Sequence, residues 1–327
     1  MTHARPRVLY LQYANPAAYP PLTHSSHLLA DQGADVAMLG IRPRAGGELA
    51  MDTHVRIRRR DIPEGSTAIG RKLSFGRFTA AALLEAARWR PDWIYVSDAM
   101  AALAGGLSGR VQRVPILYHE HDVHTEAEPS VFIRACMRAR ARLVRGATIV
   151  VVPSAGRAEF LRETLGRRDV HVVMNCPRVD DVRKSSAPAQ GPLRLVYFGT
   201  IVPQRIPLAL IEAIGAMRGE VHLEIIGYEP TGAEGHVRAL LERAERLGVG
   251  DAVSYAGAIP VRTAALERFA RCHLGLALVP RQSGDINMRT MAGASNKAFD
   301  YLACGVPMLV SDVEDWRDMF ARPGYAR

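Results

Sequence analysis

The sequence predicts an α/β protein built from two tandem doubly wound domains. Short apolar runs rich in β-branched residues alternate with longer amphipathic runs, which is the pattern of parallel strands connected by helices. The alternation stops at a polar stretch near the middle of the chain and then starts again. With 327 residues the chain is long enough to bury two separate cores. Together these observations favour two Rossmann-like domains.

The first half has the pattern of one complete α/β domain, which we assign to residues 1–182. We predict its strands over residues 8–12, 36–39, 55–58, 93–97, 115–119, 148–152 and 170–174. We predict its helices over residues 23–32, 71–89, 99–107, 132–145 and 154–165. Ser154 follows a predicted strand and precedes an apolar-periodic run, so it is a candidate N-cap.

The second half repeats the pattern after a stretch with the composition of a linker, residues 183–192. The second domain spans residues 193–327, with predicted strands over 193–198, 222–226, 253–255, 274–279 and 308–310. Its predicted helices cover residues 207–217, 234–247, 261–271 and 296–303. Ligands of doubly wound sheets bind outside the carboxyl ends of the strands, so the residues that follow strands are the most informative.

Charge and cysteine content narrow the class of protein. The formal net charge is +9, but the excess is almost entirely arginine spread along the chain, which favours a generally basic surface over a nucleic-acid site. The four cysteines lie far apart, without the C-x-x-C pairing of metal sites, and are expected to be reduced. No signal-peptide pattern precedes the first strand, and no apolar run is long enough to span a membrane. We therefore expect a cytoplasmic protein.

Glycines follow three successive strands of the second domain and predict a rim around a ligand. Gly199 begins a loop that ends at Arg205 and leads into a helix, a natural seat for a diphosphate. Gly227 ends the next strand, and Gly257 begins a loop that reaches Pro260. The guanidinium of Arg205 is a candidate for stabilising a departing phosphate, with a solvated surface arginine as the alternative.

The segment with the most specific sequence pattern covers residues 293–312. Its pattern predicts a polar helix start, a short helix, a glycine C-cap and a buried strand. Asn296 is the predicted cap, and Phe299, Leu302 and Ala303 are predicted to pack. Asp300 lies one helical turn after Lys297. Its carboxylate is a candidate acceptor for ribose hydroxyls, while an ion pair with Lys297 is the alternative.

Residues 296–311 closely resemble the C-terminal signature of family 4 glycosyltransferases, members of the two-domain GT-B class. Residues 199–205 are similar to that family's glycine-to-lysine loop, with Arg205 at its diphosphate-binding lysine and Thr200 replacing a common arginine. Residues 151–160 resemble the strand-serine-helix segment of the family's N-terminal domain. Residues 118–126 resemble its cleft loop, in which His121 matches a histidine that faces the donor sugar.

The resemblance implies a retaining, metal-independent transfer of a sugar from a nucleotide-diphosphate-sugar donor. The active site would lie in the cleft between an acceptor-side N-terminal domain and a nucleotide-sugar-binding C-terminal domain. The acceptor would be a glycan, a lipid-linked molecule or a small molecule. Catalytic roles are implied for Arg205, Lys297 and His121. The implied donor-binding residues are Gly199, Thr200, Gly227, Gly257, Pro260, Ser295, Asn296 and Asp300. No cofactor is implied, and the sequence contains no Asp-x-Asp motif of the metal-dependent class.

The chain departs from the family pattern at three points. Ala292 stands where the family often has a second acid, so the contacts to the donor sugar are open. The first loop, residues 13–21, lacks the family's paired glycines, which leaves the acceptor site open. The chain stops at Arg327, before the helices with which family members end, so we expect a C-terminally truncated chain.

Several other functions stay open at this stage. A nucleotide-sugar epimerase or a non-catalytic nucleotide-sugar-binding protein would share the architecture. A dinucleotide-dependent oxidoreductase would need a G-x-G-x-x-G motif after a strand, whereas residues 104–109 lie at a predicted helix end. The closely spaced histidines His119, His121 and His124 favour a polar loop over a metal site. Five arginines on one predicted helix indicate either a solvated face or a peripheral membrane contact: Arg134, Arg138, Arg140, Arg142 and Arg145.

Overall fold

The computed structural model describes residues 5–42, 51, 53–124, 130–217, 219–230 and 232–327. The chain divides into two compact units. Unit 1 contains Met1–Asn175 and Asp285–Ala294, and unit 2 contains Cys176–Gly284 and Ser295–Arg327. The division after Asn175 falls earlier than the domain end predicted at residue 182, and one short segment of the second half belongs to unit 1.

The described part of unit 1 contains a seven-stranded parallel sheet. Its strands are β1 (Arg7–Gln12), β2 (Asp35–Arg42), β3 (Ile57–Pro63), β4 (Trp93–Ser97), β5 (Ile116–His119), β6 (Ile149–Val152) and β7 (His171–Val172). The strand order is β3-β2-β1-β4-β5-β6-β7. The connecting helices are α1 (Pro20–Asp31), α2 (Ala68–Trp89), α3 (Asp98–Gln112), α4 (Val131–Gly146) and α5 (Ala155–Leu165). The order reverses between β1 and β4, the point at which doubly wound sheets bind ligands.

Helices cover both faces of the unit 1 sheet, so its central strand is apolar on both sides. Leu9 and Leu11 pack in one buried cluster with Phe78 of α2. Tyr10, on the opposite face of β1, packs in a second buried cluster with Leu22 of α1. Because both faces of β1 are buried, consecutive residues of this strand are apolar.

The glycines of α3 allow that helix to lie directly on the sheet. A Cβ atom added at Gly105 would come within 2.2 Å of Val96, and one added at Gly109 within 2.5 Å of Ile116. Such distances leave no space for a side chain. The glycine-rich stretch of residues 104–109 therefore serves helix packing, in agreement with the view that it is not a dinucleotide-binding motif.

Unit 2 has, within its described residues, a five-stranded parallel sheet of order β10-β9-β8-β11-β12. Its strands are β8 (Leu193–Thr200), β9 (Val221–Tyr228), β10 (Val253–Gly257), β11 (Leu274–Ala277) and β12 (Met308–Val310). Its longer helices are α6 (Leu208–Ala216), α7 (His236–Arg246), α8 (Arg262–Ala270) and α9 (Asn296–Ala303). Leu195, Tyr197 and Ile225 of the central strands are buried in its apolar core.

The stretch predicted to be a linker packs against unit 2. The backbone N–H of Arg183 donates to the carbonyl of Ala303 at 2.8 Å, and that of Ser186 donates to Ala270 at 2.6 Å. These hydrogen bonds attach the stretch to the ends of α9 and α8. It therefore belongs structurally to the compact body of unit 2.

The predicted fold class and the predicted elements are confirmed, since each predicted strand and helix overlaps an observed one. The Ser154 hydroxyl accepts a hydrogen bond from the backbone N–H of Arg157, which confirms it as an N-cap. The predicted cap of α9 is wrong: Ser295 occupies the N-cap position and Asn296 is the first helical residue. The short helix Ile286–Arg289 was not predicted. None of the described helices has the length and apolarity that a membrane crossing requires.

Candidate active site

Three predicted rim glycines lie at the carboxyl ends of adjacent strands in unit 2. Gly199, Gly227 and Gly257 have φ angles of +122°, +144° and +72°, a region that favours glycine. A Cβ atom at Gly227 would lie 1.8 Å from the carbonyl oxygen of Gly199. Glycine is therefore required where β8 and β9 end side by side, and the structure confirms the close backbone approach at this edge.

Lys297 lies beside this rim, in the first turn of α9. Its Nζ atom is 4.2 Å from the centroid of the Tyr197 ring. A Cβ atom at Gly199 would lie 3.6 Å from its Cε and 3.8 Å from its Nζ. Burial, followed by the positive charge of Arg205, lowers the pKa of Lys297 well below its ordinary value. A bound anion would favour the charged ammonium form of Lys297 and so oppose this decrease of its pKa.

Thr200 and Arg205 lie on the loop that follows β8. The Tyr197 hydroxyl donates a hydrogen bond to the carbonyl of Thr200 at 2.5 Å, which fixes the end of the strand. The backbone N–H of Arg205 donates to the carbonyl of Val202 at 3.0 Å, so a tight turn carries the guanidinium. Arg205 and Lys297 are thus two cations at one end of the same sheet.

Asp300 is held by an arginine that the sequence did not single out. Arg262, the first residue of α8, donates from Nη2 to one Asp300 oxygen at 2.6 Å and from Nη1 to the other at 3.1 Å. Its Nε donates to Asp181 at 3.2 Å. Asp300 is only 2% exposed, and burial raises its pKa while Arg262 lowers it. The alternative of an ion pair between Lys297 and Asp300 is wrong, because the ion-pair partner of Asp300 in the structure is Arg262.

The remaining predicted donor-binding residues lie near the carboxyl edge of the unit 2 sheet and differ in burial. Ser295 is buried at the start of α9, and its side chain makes no capping hydrogen bond. Asn296 is partly buried, and Pro260 is exposed in the loop after β10. The Tyr255 hydroxyl donates to the carbonyl of Gly227 at 3.0 Å and supports the rim. The predicted packing of Phe299 is confirmed by its ring contact with Phe320, at 5.6 Å between centroids. Leu302 and Ala303 are partly buried, and Ala298 and Tyr301 are the fully buried apolar residues of α9.

His121 lies at the carboxyl edge of the unit 1 sheet, directly after β5. Its ring is 5% exposed and its centroid is 3.9 Å from that of His119. Burial, with additional effects of His119 and Arg157, lowers the pKa of His121 well below its ordinary value. Burial and Arg157 lower the pKa of His119 to about 3. Both imidazoles are therefore neutral at neutral pH, and each offers one donor and one acceptor nitrogen.

Asp98 positions the backbone of the His121 loop. It follows β4 directly and has a φ angle of +61°, which is unusual for a residue other than glycine. One carboxylate oxygen accepts the backbone N–H of His121 at 2.7 Å and that of Asp122 at 3.3 Å. Burial, followed by the charge of Asp122, raises the pKa of Asp98 to about 7. The sequence signal that points to Asp98 is its position at the end of a strand.

Buried polar atoms without a hydrogen-bond partner among the described residues concentrate at this edge of unit 1. They are Gln12 Oε1, Ser97 Oγ, His119 Nε2, both ring nitrogens of His121, Nε and Nη1 of Arg157, and Asn175 Oδ1. Folded proteins leave few such groups unsatisfied, and each one needs an explanation. A ligand with several hydroxyl groups would satisfy donors and acceptors of this kind together.

Arg157 and Arg140 are charged residues whose environment the sequence did not predict. Arg157 is 1% exposed, and its Nη2 donates to an Asp122 oxygen at 3.2 Å. Arg140 is 7% exposed, and its Nη2 donates to Glu120 at 2.6 Å. Arg140 therefore does not belong to the basic face predicted for α4, because it faces the sheet and anchors the segment that carries His121.

The segment Asp285–Ala294 completes this edge of unit 1. The Asn287 amide accepts the backbone N–H of Val123 at 2.8 Å and donates to its carbonyl at 2.7 Å. A Cβ atom at Gly293 would lie 2.4 Å from the carbonyl oxygen of Pro153. Ala292, where the family often has an acid, is 2% exposed. The segment thus holds the loop after His121 from the side. Within the described ranges, no three histidine, cysteine, aspartate or glutamate side chains cluster as metal ligands would.

Comparisons with known proteins agree on the class. Residues 22–177 match the glycosyl transferase 4-like domain. Sucrose-phosphate synthase from Thermosynechococcus elongatus superposes with a TM-score of 0.73 at 16% identity, over 96% of this chain and 83% of its own. HepE of Anabaena, solved in complex with UDP-glucose, superposes with a TM-score of 0.69 at 18% identity, over 95% of this chain and 82% of its own. The catalytic domain of starch synthase IV from Arabidopsis thaliana, solved with ADP and acarbose, superposes with a TM-score of 0.60 at 11% identity, over 97% of this chain and 85% of its own. A search of curated protein sequences gave no match.

The two-sheet fold is similar to that of the GT-B glycosyltransferases among these neighbours, and residues 22–177 match a glycosyltransferase domain. The matched region is of the glycosyl transferase 4-like type, which confirms the resemblance seen in the sequence.

Proposed function

We propose that the protein is a retaining, metal-independent glycosyltransferase that uses a nucleotide-diphosphate-sugar donor. The observation that carries the proposal is the pair of cations, Lys297 and Arg205, beside the glycine rim of unit 2. Structural neighbours solved with UDP-glucose and with ADP support a nucleotide donor. The acceptor is proposed to be a glycan, a lipid-linked molecule or a small molecule.

Stabilisation of the departing diphosphate is the main chemical task in this proposal. Negative charge develops on the phosphate oxygens as the anomeric C–O bond breaks. Arg205 donates from a planar guanidinium, and the bound diphosphate favours the ammonium form of Lys297. Backbone N–H groups near Gly199 add further donors. Two fixed cations at this point do the work that a metal ion does in other enzymes, and this is why we propose that no metal is needed.

The nucleoside is proposed to bind along the remaining rim of unit 2. Asp300 accepts the ribose hydroxyls through lone pairs that Arg262 leaves free, since each carboxylate oxygen offers two. The loop from Gly257 to Pro260 borders the base, and Ser295 and Asn296 lie at the start of α9 next to Lys297. Arg262 is then required to fix the orientation of Asp300.

The sugar ring is proposed to contact His121. A neutral imidazole suits hydrogen bonding to a hydroxyl rather than proton transfer, and the low pKa of His121 keeps it neutral. The acceptor hydroxyl attacks the anomeric carbon from the face that the diphosphate leaves and transfers its proton to the departing phosphate oxygen, so the configuration is retained. The orphaned polar atoms around His121 in unit 1 offer hydrogen bonds to the sugar or to a polyhydroxylated acceptor.

A lipid-linked acceptor is supported by a basic surface with exposed apolar side chains. On α4, Arg134, Arg138, Arg142 and Arg145 are exposed, and Val131 is 74% exposed. On α2, Ile69 is 72% and Leu73 is 56% exposed, and Phe75 of α2 packs against Phe132 of α4. Cations around exposed apolar residues favour an anionic membrane surface. We propose peripheral contact with the inner face of the cell membrane.

A donor panel tests the proposal. The full chain is incubated with UDP-, GDP-, ADP- and dTDP-sugars in EDTA, and thermal shift and donor hydrolysis are measured for the wild type, Arg205→Ala and Asp300→Ala. We expect one nucleotide family to stabilise the wild type and both variants to lose that response. Conversion of the donor into an epimer would indicate an epimerase, and binding without donor hydrolysis would indicate a non-catalytic protein. A folded wild type that responds to no nucleotide would refute the glycosyltransferase proposal.

A further inference from the structure

A cavity of about 390 Å³ lies at the amino edge of the unit 2 sheet, the edge opposite the glycine rim. The starts of three strands line it through Arg194, His222 and Ser254. The end of α8 lines it through Arg268 and Arg271. All of these residues belong to unit 2, and none is part of the proposed donor site.

The cavity has more positive than negative charge. Glu224 is its carboxylate, and Arg268 already donates to it. The side chains of Arg194 and Arg271 make no hydrogen bond or ion pair with any described residue, and both are exposed. Three guanidinium groups around one carboxylate leave two cations uncompensated at the same concave surface.

The chemistry of these groups selects a phosphate-bearing ligand. A guanidinium presents a planar fork of donors that matches the oxygens of phosphate, and two such forks hold one phosphate group from two sides. The Ser254 hydroxyl and the His222 ring add further hydrogen-bond partners at the strand starts. The volume is in the range of small-molecule sites and exceeds what a lone phosphate fills.

We propose that this cavity is a second anion site, which binds a small phosphate ester independently of the sugar donor. A bound dianion would compensate the charge of the two arginines that line the cavity without a carboxylate partner among the described residues. Helix α8 has its end at this cavity, and its first residue, Arg262, holds Asp300 at the opposite edge of the sheet.

Calorimetric titration with inorganic pyrophosphate at low ionic strength tests the proposal on the full chain. We compare the wild type with the double variant Arg194→Gln/Arg271→Gln. The matched control, Arg238→Gln/Arg246→Gln, removes the same charge from the exposed face of α7, where both arginines form ion pairs with Glu242. The variant Arg205→Gln separates cavity binding from donor-site binding. All substituted side chains of the two double variants are exposed, so the fold is expected to persist.

The proposal predicts two binding events in the wild type and in the control. The Arg194→Gln/Arg271→Gln variant should lose one event or weaken it at least about tenfold, because each charge-assisted hydrogen bond contributes at least a factor of that order. The Arg205→Gln variant should lose the other event. Unchanged stoichiometry and affinity in Arg194→Gln/Arg271→Gln would overturn the second site. Loss only in Arg205→Gln would leave the donor site standing and remove the cavity site.

Discussion

Replacing Arg262 by glutamine tests the structural basis of the nucleotide site. The guanidinium makes three charge-assisted hydrogen bonds, two to Asp300 and one to Asp181. Asp300 is 2% and Asp181 12% exposed at the side chain, so the variant leaves two poorly solvated carboxylates without their cation. Neutral glutamine keeps a similar shape and removes the charge.

The expected loss follows from the burial of the partners. Removing one member of a buried ion pair costs roughly 3–5 kcal/mol, because the remaining charge is left uncompensated. Arg262 is 23% exposed at the side chain, so water reduces the effect toward the lower limit. We expect about 3 kcal/mol, which corresponds to a decrease of roughly 1–2 M in the urea midpoint. The loss should shrink from pH 7 to pH 5, since the raised pKa of Asp300 rises further without Arg262 and protonation removes the buried charge.

Urea unfolding followed by the fluorescence of Trp316, which is 2% exposed in unit 2, measures this loss. Trp89 and Trp93 are replaced by phenylalanine in all samples so that unit 2 is observed alone. The control is Arg268→Gln at the other end of α8, whose ion pair with Glu224 is partly exposed and should contribute less than about 1 kcal/mol. A loss in Arg262→Gln no larger than in the control would refute the reasoning. A double-mutant cycle with Asp300→Asn should show a coupling of about 2 kcal/mol.

Three further predictions follow from single contacts. The raised pKa of Asp98 means that its protonated form stabilises the fold, so the wild type should lose stability as the pH rises from about 4 through about 7, and Asp98→Asn should lose this dependence in pH-dependent urea unfolding. Gly227→Ala should abolish donor binding in calorimetry, because its Cβ would meet the Gly199 carbonyl, whereas Gly248→Ala, with positive φ but open space, should retain it. The double variant Ile69→Ser/Leu73→Ser should reduce sedimentation with anionic vesicles several-fold and leave donor binding unchanged; equal sedimentation would contradict the membrane contact.

The sheets were predictable because the apolar residues of each strand form a recognisable pattern in the local sequence. Residues 8–12 form an apolar run that is buried on both faces, and such runs between amphipathic helices leave few alternative folds. The rim glycines were predictable for a similar reason, since a glycine at a strand end has few uses other than a turn or a close approach. Gly227 shows both its left-handed backbone and its contact with Gly199.

The partners of the charged residues were not predictable, because spacing along the chain does not say which elements meet. Asp300 was expected to face a ribose or Lys297, but Arg262, on a different helix, holds it. Arg140 was expected on a basic surface, but it faces Glu120. The segment Asp285–Ala294 joins unit 1 through the backbone and amide contacts of Asn287, and no composition signal marks such a crossing.

We propose that unit 2 binds a nucleoside diphosphate sugar through Arg205 and Lys297 without a metal. Isothermal titration of the wild type with UDP-, GDP-, ADP- and dTDP-glucose in EDTA tests it most directly, with Arg205→Gln and Lys297→Met as variants and Arg246→Gln as control. We expect saturable binding of one nucleotide family by the wild type and the control, and affinity at least about tenfold weaker in both variants. Binding that requires added metal, or that both variants retain unchanged, would contradict this donor site.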